Sequence, residues 1–295
     1  MDVVLLFNGL GNQMSQYAFY MAKKKNDPNC HIMFDWRSKH EHNGFELQNI
    51  FNVHYENRLT ESILQYCYKF TTTKNIPLLP NIFRLLGFRV IEDPINYDYK
   101  PELLKKSHLR VAYYHGGWHS EKNFKSVETK VRKLYEFPLI PSDTECKVLE
   151  QTILSDDNSV SLHIRRGDYL SIPASSIRQP GGIATIEYYK KAIEYMLSIK
   201  PQSTFYVFSN EIEWCKKVFD GLKMVFIDCN RKNYSWRDMY LMSICRHHII
   251  ANSTFSWWGA WLCKHKGSIT ICPERFIQKY ETKDIYPENW IKIKL

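Results

Sequence analysis

The sequence predicts an α/β protein in which the second half of the chain forms a doubly wound parallel sheet. In that half, short apolar runs alternate with amphipathic segments of helical length, the pattern of repeated βαβ units. Polar, donor-rich residues follow several of the apolar runs, as expected at the carboxyl ends of parallel strands. The chain has 295 residues, enough for two domains, which we place at residues 1–142 and 143–295.

The first domain opens with a regular pattern that is then lost. Val3–Phe7 reads as a buried strand, and a glycine loop leads into a helix with apolar residues at i, i+3 and i+4. Lys23–Lys25 suit the negative end of that helix, and His31–Phe34 reads as the next strand. Residues 43–140 show no regular pattern, so their topology is left open.

The second domain gives a clear series of elements. A polar helix from residue 143 to about residue 154 leads into it. The predicted strands are Val160–Ile164, Phe205–Phe208, Met224–Ile227, Ile249–Ala251 and Ser268–Cys272. The predicted helices are Ile186–Ile199, Glu211–Phe219, Arg237–Arg246 and Phe255–Cys263.

Composition and charge narrow the class of protein. Hydrophobic residues make up 44% and aromatic residues 15%, which excludes an intrinsically disordered chain. The net charge of +9 favours acidic partners such as nucleotide phosphates or an anionic membrane surface, although many enzymes carry as much. We expect no nucleic acid partner, since the basic residues are scattered and no nucleic-acid motif occurs.

The cysteines and the N-terminal residues indicate the cellular compartment of the protein. The eight cysteines form no C-x-x-C pair and are too sparse for a disulfide scaffold. The first residues lack the positive region of a signal peptide, and no run of 18 apolar residues occurs. We therefore expect a cytoplasmic protein with reduced thiols.

Three polar clusters follow predicted strands of the second domain. They are Arg165–Asp168, Ser209-Asn210 and Asn252–Ser256. Because ligands of open α/β sheets bind at the carboxyl ends of the strands, we expect the clusters to converge on one crevice. Tryptophans lie beside them, Trp257, Trp258 and Trp261 among them, and core packing is favoured over stacking on a base or sugar.

Arg165 and Arg166 suit an anionic ligand, because a guanidinium binds two phosphate oxygens at once. An ion pair between one of them and Asp168 is the structural alternative, and both can hold. Asn252–Ser256 also opens a helix, where backbone N–H groups bind phosphate. An ordinary helix N-cap explains the same residues.

The glycine loop is a weak dinucleotide fingerprint. Gly9 and Gly11 begin a G-x-G-x-x-G pattern, but Met14 stands at its sixth position. No P-loop, D-x-D or H-E-x-x-H motif occurs, so we expect neither a metal ion nor a cofactor. If a diphosphate binds, Arg165 and helix-end amides take over the role of the cation.

The motifs occur in a fixed order along the chain. They are Asn8–Ala18 with N-G-L-G-N-Q-M-S-Q-Y-A, His163–Tyr169 with H-I-R-R-G-D-Y, Phe208–Cys215 with F-S-N-E-I-E-W-C, Asp238–Ser243, and Ala251–Leu262 with A-N-S-T-F-S-W-W-G-A-W-L. This series resembles the bacterial α-1,2-fucosyltransferases of glycosyltransferase family 11. Asn8 and Ser15 depart from it, standing where the family has glycine and phenylalanine.

The resemblance implies a fold and a reaction. The fold is GT-B type, two Rossmann-like domains facing a cleft, with the donor site in the C-terminal domain and the acceptor side in the N-terminal one. The reaction is metal-independent, inverting transfer of L-fucose from GDP-fucose to the 2-hydroxyl of a terminal β-galactoside in a lipopolysaccharide or capsule glycan.

The resemblance also assigns residues. Arg165 holds the β-phosphate and stabilises the leaving GDP, and Asp168 supports that arginine or the sugar. Asp238 accepts from the guanine N–H edge, with a helix N-terminal charge as its structural alternative. The other expected donor-binding residues are Gly9, Gly11, Asn12, Gln13, His163, Ser209, Asn210, Asn252, Ser253, Thr254, Phe255 and Ser256.

Several questions stay open from the sequence. Asp35 and Glu46 are candidates for the general base, and both can be structural. Another linkage such as α-1,6 is the nearest alternative, followed by a non-catalytic GDP-binding or glycan-binding protein. The basic surface suggests peripheral contact with the cytoplasmic face of the inner membrane.

Overall fold

The computed structural model describes residues 1–40, 42–54, 58–173, 175–219 and 221–294, and it leaves out the side chains of residues 39, 40, 58, 168 and 170. The chain divides into two compact units, Met1–Glu136 and Phe137–Leu295. Each unit has its own parallel β-sheet.

The sheet of the N-terminal unit has four parallel strands in the order β2-β1-β4-β3. The strands are β1 (Asp2–Leu6), β2 (His31–Phe34), β3 (Phe88–Glu92) and β4 (Val111–His115). All five residues of β1 are buried, which explains why a central parallel strand reads as a continuous apolar run. The loops after β1 and β4 therefore leave neighbouring strands at the centre of this sheet.

The described residues of the N-terminal unit form five α-helices. They are α1 (Leu10–Asn26), α2 (Glu46–Phe51), α3 (Arg58–Thr72), α4 (Leu78–Leu85) and α5 (Glu128–Leu134). The predicted first helix is present, with Gly9 as its N-cap and three lysines in its last turn. Residues 43–140, which showed no regular sequence pattern, contain helices α2 to α5, the edge strand β3 and the central strand β4.

The C-terminal unit is a doubly wound sheet, as predicted. Its strands are β5 (Ser159–Ile164), β6 (Thr204–Ser209), β7 (Met224–Ile227), β8 (His247–Ile249), β9 (Thr270–Pro273) and β10 (Ile291–Ile293). They pair in parallel in the order β10-β9-β8-β5-β6-β7. The chain builds one side of the sheet outward from β5 and then the other side, so the switch point lies between β5 and β8.

In the part of the C-terminal unit that the structure describes, six α-helices connect and cover this sheet. They are α6 (Glu145–Ser155), α7 (Gly167–Ser171), α8 (Ile186–Ile199), α9 (Ile212–Val218), α10 (Trp236–Ile244) and α11 (Thr254–Trp261). Helix α8 buries Tyr188, Ala192 and Met196 in the core beside Val160 and Leu162 of β5. Its i, i+4, i+8 spacing is the reason this helix could be predicted to the residue.

Strand β8 is displaced from its prediction. The sequence favoured Ile249–Ala251, whereas the ladder with β5 runs from His247 to Ile249. Two adjacent histidines do not read as strand, but His248 is buried and its Nδ1 lies 2.8 Å from the Ser161 hydroxyl. Cross-strand hydrogen bonding thus accommodates a polar side chain that the apolar pattern could not anticipate.

Residue 137 already belongs to the second unit. Phe137 stacks on Trp236 with ring centroids 5.9 Å apart and contacts Tyr240 at 5.6 Å. The division at Glu136/Phe137 precedes the boundary predicted after residue 142 because this aromatic contact draws the connecting segment onto α10.

The C-terminal tryptophans form core. Trp257, Trp258 and Trp261 are buried and pack on one another, and the Trp257 indole N–H donates to the Ile285 carbonyl at 2.8 Å. The packing interpretation of these residues is therefore correct.

All eight cysteines are free thiols. No helix in the described part of the chain combines the length and apolarity needed to cross a membrane.

Candidate functional site

A basic pocket lies at the switch point of the C-terminal sheet. Arg165 and Arg166 follow β5, Asn252 follows β8, and all three line one pocket with a volume of about 90 Å³. The rest of the lining consists of Ile164, Tyr169, Tyr189, Trp214 and residues 180–182 and 184–186. The structure thus brings together two of the three predicted strand-end clusters, and the third is connected through Arg166.

Arg166 is held by the loop that follows β6. Its Nη1 donates to Glu211 Oε2 at 2.9 Å, and its guanidinium lies 4.5 Å from the Trp214 ring centroid. Its backbone N–H donates to Asn210 Oδ1 at 3.2 Å. A Cβ at Gly167 would lie only 2.7 Å from Asn210 Nδ2, so glycine allows this close approach. Arg166 is therefore held in place by Glu211, Trp214 and Asn210, and it fixes the loop after β5 against the loop after β6.

Arg165 has a different environment. It is half-buried and lines the pocket, with its guanidinium 5.6 Å from the Tyr169 ring centroid. Its backbone N–H donates to the Tyr189 hydroxyl at 3.4 Å, which fixes the start of the loop. The Asp168 side chain lies outside the described residues, so its predicted roles stay predictions.

Asn252 supports the pocket wall. Its Nδ2 donates to the Pro180 carbonyl at 2.8 Å and to the Phe276 carbonyl at 3.0 Å, and the side chain is buried. Its own carbonyl accepts from the Tyr169 hydroxyl at 3.3 Å. Both amide hydrogens are thus used in hydrogen bonds within the protein, and they hold the segments of Pro180 and Phe276 in place beside the pocket.

The residues after Asn252 form the N-terminus of α11. Ser253 Oγ accepts from the Phe255 N–H at 3.3 Å, so the N-cap interpretation is realised. Ser256 Oγ is buried and donates to the Ser253 carbonyl at 3.4 Å. Thr254 and Phe255 are half-buried, and their phosphate contacts stay predictions.

His163 lies on β5, just before the arginines. It is buried, with its ring 5.9 Å from that of Phe255. Burial, together with the positive charge of Arg165, lowers the pKa of His163 to about 3. The imidazole is therefore neutral at physiological pH.

The other strand-end side chains have local partners. Ser209 Oγ accepts from the Glu211 N–H at 3.0 Å and so shapes the loop after β6. Asp238, in the first turn of α10, accepts from Asn230 Nδ2 at 2.8 Å. Burial raises the pKa of Asp238 to about 7, and the nearby Cys146 and Asp228 add to the effect. Asp238 does not line the basic pocket.

The glycine loop of the N-terminal unit is tightly bonded. Gln13 is buried, with Nε2 donating to the Asn8 and Gly44 carbonyls at 2.7 Å and Oε1 accepting from the Glu46 N–H at 3.0 Å. Asn8 has φ = 61°, a left-handed conformation that glycine adopts freely and asparagine tolerates. This conformation explains why Asn8 can replace the glycine of the family motif.

The remaining predicted residues of this loop occupy the start of α1. Gly9 is its N-cap, and its carbonyl accepts from the Asn12 and Gln13 N–H groups at 3.0 and 3.1 Å. Gly11 is buried and Asn12 is half-buried. The donor contacts expected of these residues stay predictions.

The two carboxylates considered for general base differ in environment. Asp35 accepts from Arg37 through Nε at 3.0 Å and through Nη2, and the strong pair raises the pKa of Arg37. Glu46 is buried, and burial raises its pKa despite a 3.1 Å hydrogen bond from Asn43 Nδ2. A raised pKa favours Glu46 as a general base, whereas Asp35 is engaged in the ion pair with Arg37.

The N-terminal unit has a cavity of its own beside α2. Its volume is about 540 Å³, and it is lined by the aromatic rings of Phe34, Trp36 and Phe45 together with Gly44, Gln48, Asn49 and Gln65. Phe34 and Phe45 stack at 5.1 Å, while Trp36 is 49% exposed. Among the described residues the lining has aromatic faces and amides but no charged group, which suits a neutral sugar.

Sequence reasoning missed several residues that line the pocket or hold Arg166. Glu211 and Trp214 belong to the quoted F-S-N-E-I-E-W-C motif, so their place after a strand was an available signal. Gly181 and Gly182 stand in a Pro-Gly-Gly turn: a Cβ at Gly181 would lie 2.7 Å from the Tyr169 carbonyl, and Gly182 has φ = 73°. Nothing in the local pattern indicated Tyr189, since its helix reads simply as core.

Among the described residues, no group of three or more His, Cys, Asp or Glu side chains could hold a metal ion. Metal independence and the lack of a cofactor stay predictions.

The fold and the basic pocket define a GT-B-type α/β protein with two Rossmann-like units, as predicted. The profile of glycosyl transferase family 11 matches residues 93–294. An alpha-1,2-colitosyltransferase of Escherichia coli is 33% identical, covering 99% of this chain and 98% of its own. The O-antigen biosynthesis glycosyltransferase WbnK of Escherichia coli is 28% identical, covering 98% of this chain and 99% of its own.

A solved structure agrees on the fold. A mutant of Arabidopsis thaliana FUT1 in complex with GDP superposes with a TM-score of 0.51 at 12% identity, covering 93% of this chain and 70% of that one. From the profile and the full-length relative, the chain belongs to glycosyltransferase family 11.

Proposed function

We propose that this protein transfers L-fucose from GDP-fucose to the 2-hydroxyl of a terminal β-galactoside, with inversion and without a metal ion. The observation that carries the proposal is Arg165, which lines the switch-point pocket while the neighbouring Arg166 is bound to Glu211. The relative WbnK, named for O-antigen biosynthesis, supports a surface glycan as the acceptor. The eight free thiols suit a cytoplasmic enzyme.

In the proposed reaction the acceptor oxygen attacks the anomeric carbon of fucose from the face opposite GDP. The bond between that carbon and the β-phosphate oxygen breaks, and its electron pair leaves with GDP. Arg165 stabilises the charge that grows on the phosphate, an interaction stronger in the transition state than in the ground state. The hydroxyl proton passes to a base, for which Glu46 is our choice.

Colitose is a second candidate for the transferred sugar. It is fucose without the hydroxyl at carbon 3, and the 33% identical relative is an alpha-1,2-colitosyltransferase. A site that hydrogen-bonds the missing hydroxyl would discriminate strongly between the two donors. The ratio of kcat/KM for GDP-fucose and GDP-colitose on one acceptor decides between them.

The first test is GDP release from GDP-fucose, with and without lactose, in buffer containing EDTA. We expect lactose-stimulated release that survives chelation, and an α-1,2 linkage in the NMR spectrum of the product. Another linkage in that spectrum would refute the regiochemistry alone. Tight GDP binding without release on any galactoside would favour a non-catalytic binding protein.

A further inference from the structure

Helices α3 and α4 carry an apolar face that is exposed. Its residues on α3 are spaced by four, three and four positions, and its residues on α4 by four and three positions. Each set therefore lies on one side of its helix. We call these residues the α3–α4 face: Leu59, Ile63, Tyr66, Phe70, Leu78, Ile82 and Leu85. Their exposed fractions range from 36% to 89%.

The α3–α4 face is distinct from the side of α3 that packs on the core of the N-terminal unit. Helix α3 buries Leu64 and Tyr68 in the core under β1 and β4, and the Leu64 carbonyl accepts from the Tyr113 hydroxyl at 2.9 Å. Helix α4 has no buried residue and is attached through Phe83, which contacts Phe70 at 5.7 Å and Phe88 at 5.1 Å. Both helices are thus anchored on one side, while Leu78, Ile82 and Leu85 on α4 are 49% to 89% exposed.

The segment that carries the α3–α4 face is rich in cations. Between residues 59 and 89 the sequence has Lys69, Lys74, Arg84 and Arg89 against the single acid Glu61. None of these four cations forms an ion pair with the described residues of the chain. An amphipathic apolar face bordered by unpaired cations is the arrangement of helices that lie in the headgroup region of an anionic bilayer.

We propose that the α3–α4 face binds the surface of a membrane that contains anionic phospholipids. Leu78, Ile82 and Leu85 would enter the headgroup–acyl boundary, and the cations would contact lipid phosphates. A second copy of the chain fits less well, because apposing two such faces would bring like charges together.

The test is flotation of the full chain with vesicles of phosphatidylcholine alone or with about one third phosphatidylglycerol. We expect binding to the anionic vesicles, weakened at ~0.5 M salt, where charges are screened beyond a few ångström. The double variant Ile82→Glu with Leu85→Glu should bind at least about tenfold more weakly, from lost apolar burial. Its turnover of lactose should be unchanged, because both residues are exposed and lie outside the pockets.

The matched control is Leu139→Glu with Leu154→Glu, two exposed apolar residues of the other unit. This control should bind vesicles as the unaltered protein does. Failure of the unaltered protein to float with anionic vesicles would overturn the proposal. Equal loss in both double variants would also overturn it. So would a dimer in sedimentation velocity that dissociates in the Ile82/Leu85 variant without any vesicle binding.

Discussion

Glu211 Oε2 lies 2.9 Å from Arg166 Nη1, and this ion pair gives Arg166 different surroundings from the adjacent Arg165. Arg166 is held on one side by the carboxylate and on another by the Trp214 ring, while Arg165 lines the pocket. The pair is partly exposed, so its contribution to stability is modest. Its value lies in fixing the loop that places Arg165.

Replacing Arg165 by alanine should lower kcat by about a hundredfold to a thousandfold, the usual loss when one donor to a developing anion is removed. Arg165→Lys should recover only part of this loss, because an ammonium is a point charge without the planar fork. Steady-state kinetics on lactose measure the effect, and circular dichroism checks the fold. A kcat near that of the unaltered enzyme would contradict the leaving-group role.

Removing the Glu211 carboxylate should have a different kinetic signature. Glu211→Gln keeps the size of the side chain but weakens its hold on Arg166, so the loop that carries Arg165 loses a constraint. We expect KM for GDP-fucose to rise severalfold, with kcat reduced less than in Arg165→Ala. If Glu211→Gln lowers kcat as far as Arg165→Ala does, the division of roles between the arginines is wrong.

Asp238 should make GDP binding depend on pH if its ionised carboxylate accepts from the guanine N–H groups. With a pKa of about 7, the carboxyl is mostly protonated at pH 6 and mostly ionised at pH 8. Affinity should therefore fall about tenfold from pH 8 to pH 6, with proton release on binding below pH 7. Calorimetry in two buffers of different ionisation enthalpy measures both quantities.

The Asp238→Asn variant is the control for this pH dependence. It should bind GDP weakly at both pH values, since the amide offers one acceptor and no charge. A pH profile unchanged in Asp238→Asn would assign the titration to another group and return Asp238 to a structural role at the start of α10.

The sequence predicted the C-terminal unit far better than the N-terminal one, for a physical reason. Buried parallel strands and amphipathic helices such as α8 leave periodic patterns, and polar residues at strand ends mark the site. Between β2 and β4 the N-terminal unit has helices of 6, 15 and 8 residues separated by loops. Helix α3 has apolar residues on two sides, so its sequence does not mark which side faces the core. Arg165 was therefore predictable, whereas the aromatic cavity around Trp36 was not.

The sequence also could not predict which polar side chains form hydrogen bonds inside the protein. Gln13 and Asn252 have the composition of ligand-binding residues, yet their amides bond to backbone carbonyls of distant segments. Only the tertiary fold shows which polar side chain is directed inward. Conversely, the left-handed φ of Asn8 makes physical sense of a departure from the family motif that the sequence left unexplained.

Glu46→Gln should lower kcat by about a hundredfold or more if Glu46 is the base, because general base catalysis contributes at least that much. Burial raises the folded-state pKa of Glu46, so its charged form costs stability as pH rises through that value. The glutamine variant should thus be at least as stable at neutral pH. Asp35→Asn, the matched control, should lower the melting temperature by breaking the Arg37 pair, with a smaller effect on kcat. Reversed effects on kcat would make Asp35 the base.

Trp36 should contribute to acceptor binding through the cavity of the N-terminal unit. Trp36→Ala removes an exposed aromatic face beside Phe45 and three amide side chains, and stacking of this kind contributes about 1 kcal/mol. We therefore expect the KM for lactose to rise about fivefold or more, while the KM for GDP-fucose and the melting temperature stay unchanged. Initial-rate kinetics with each substrate varied in turn measure the two constants separately.

The matched control for Trp36 is Tyr66→Ala, which removes another exposed aromatic ring of the same unit outside the cavity. With a water-soluble acceptor, Tyr66→Ala should leave both KM values unchanged. An equal rise of the lactose KM in both variants would reflect a general disturbance of the unit. A rise confined to GDP-fucose in Trp36→Ala would assign the cavity to the donor and reverse the proposed division of labour between the two units.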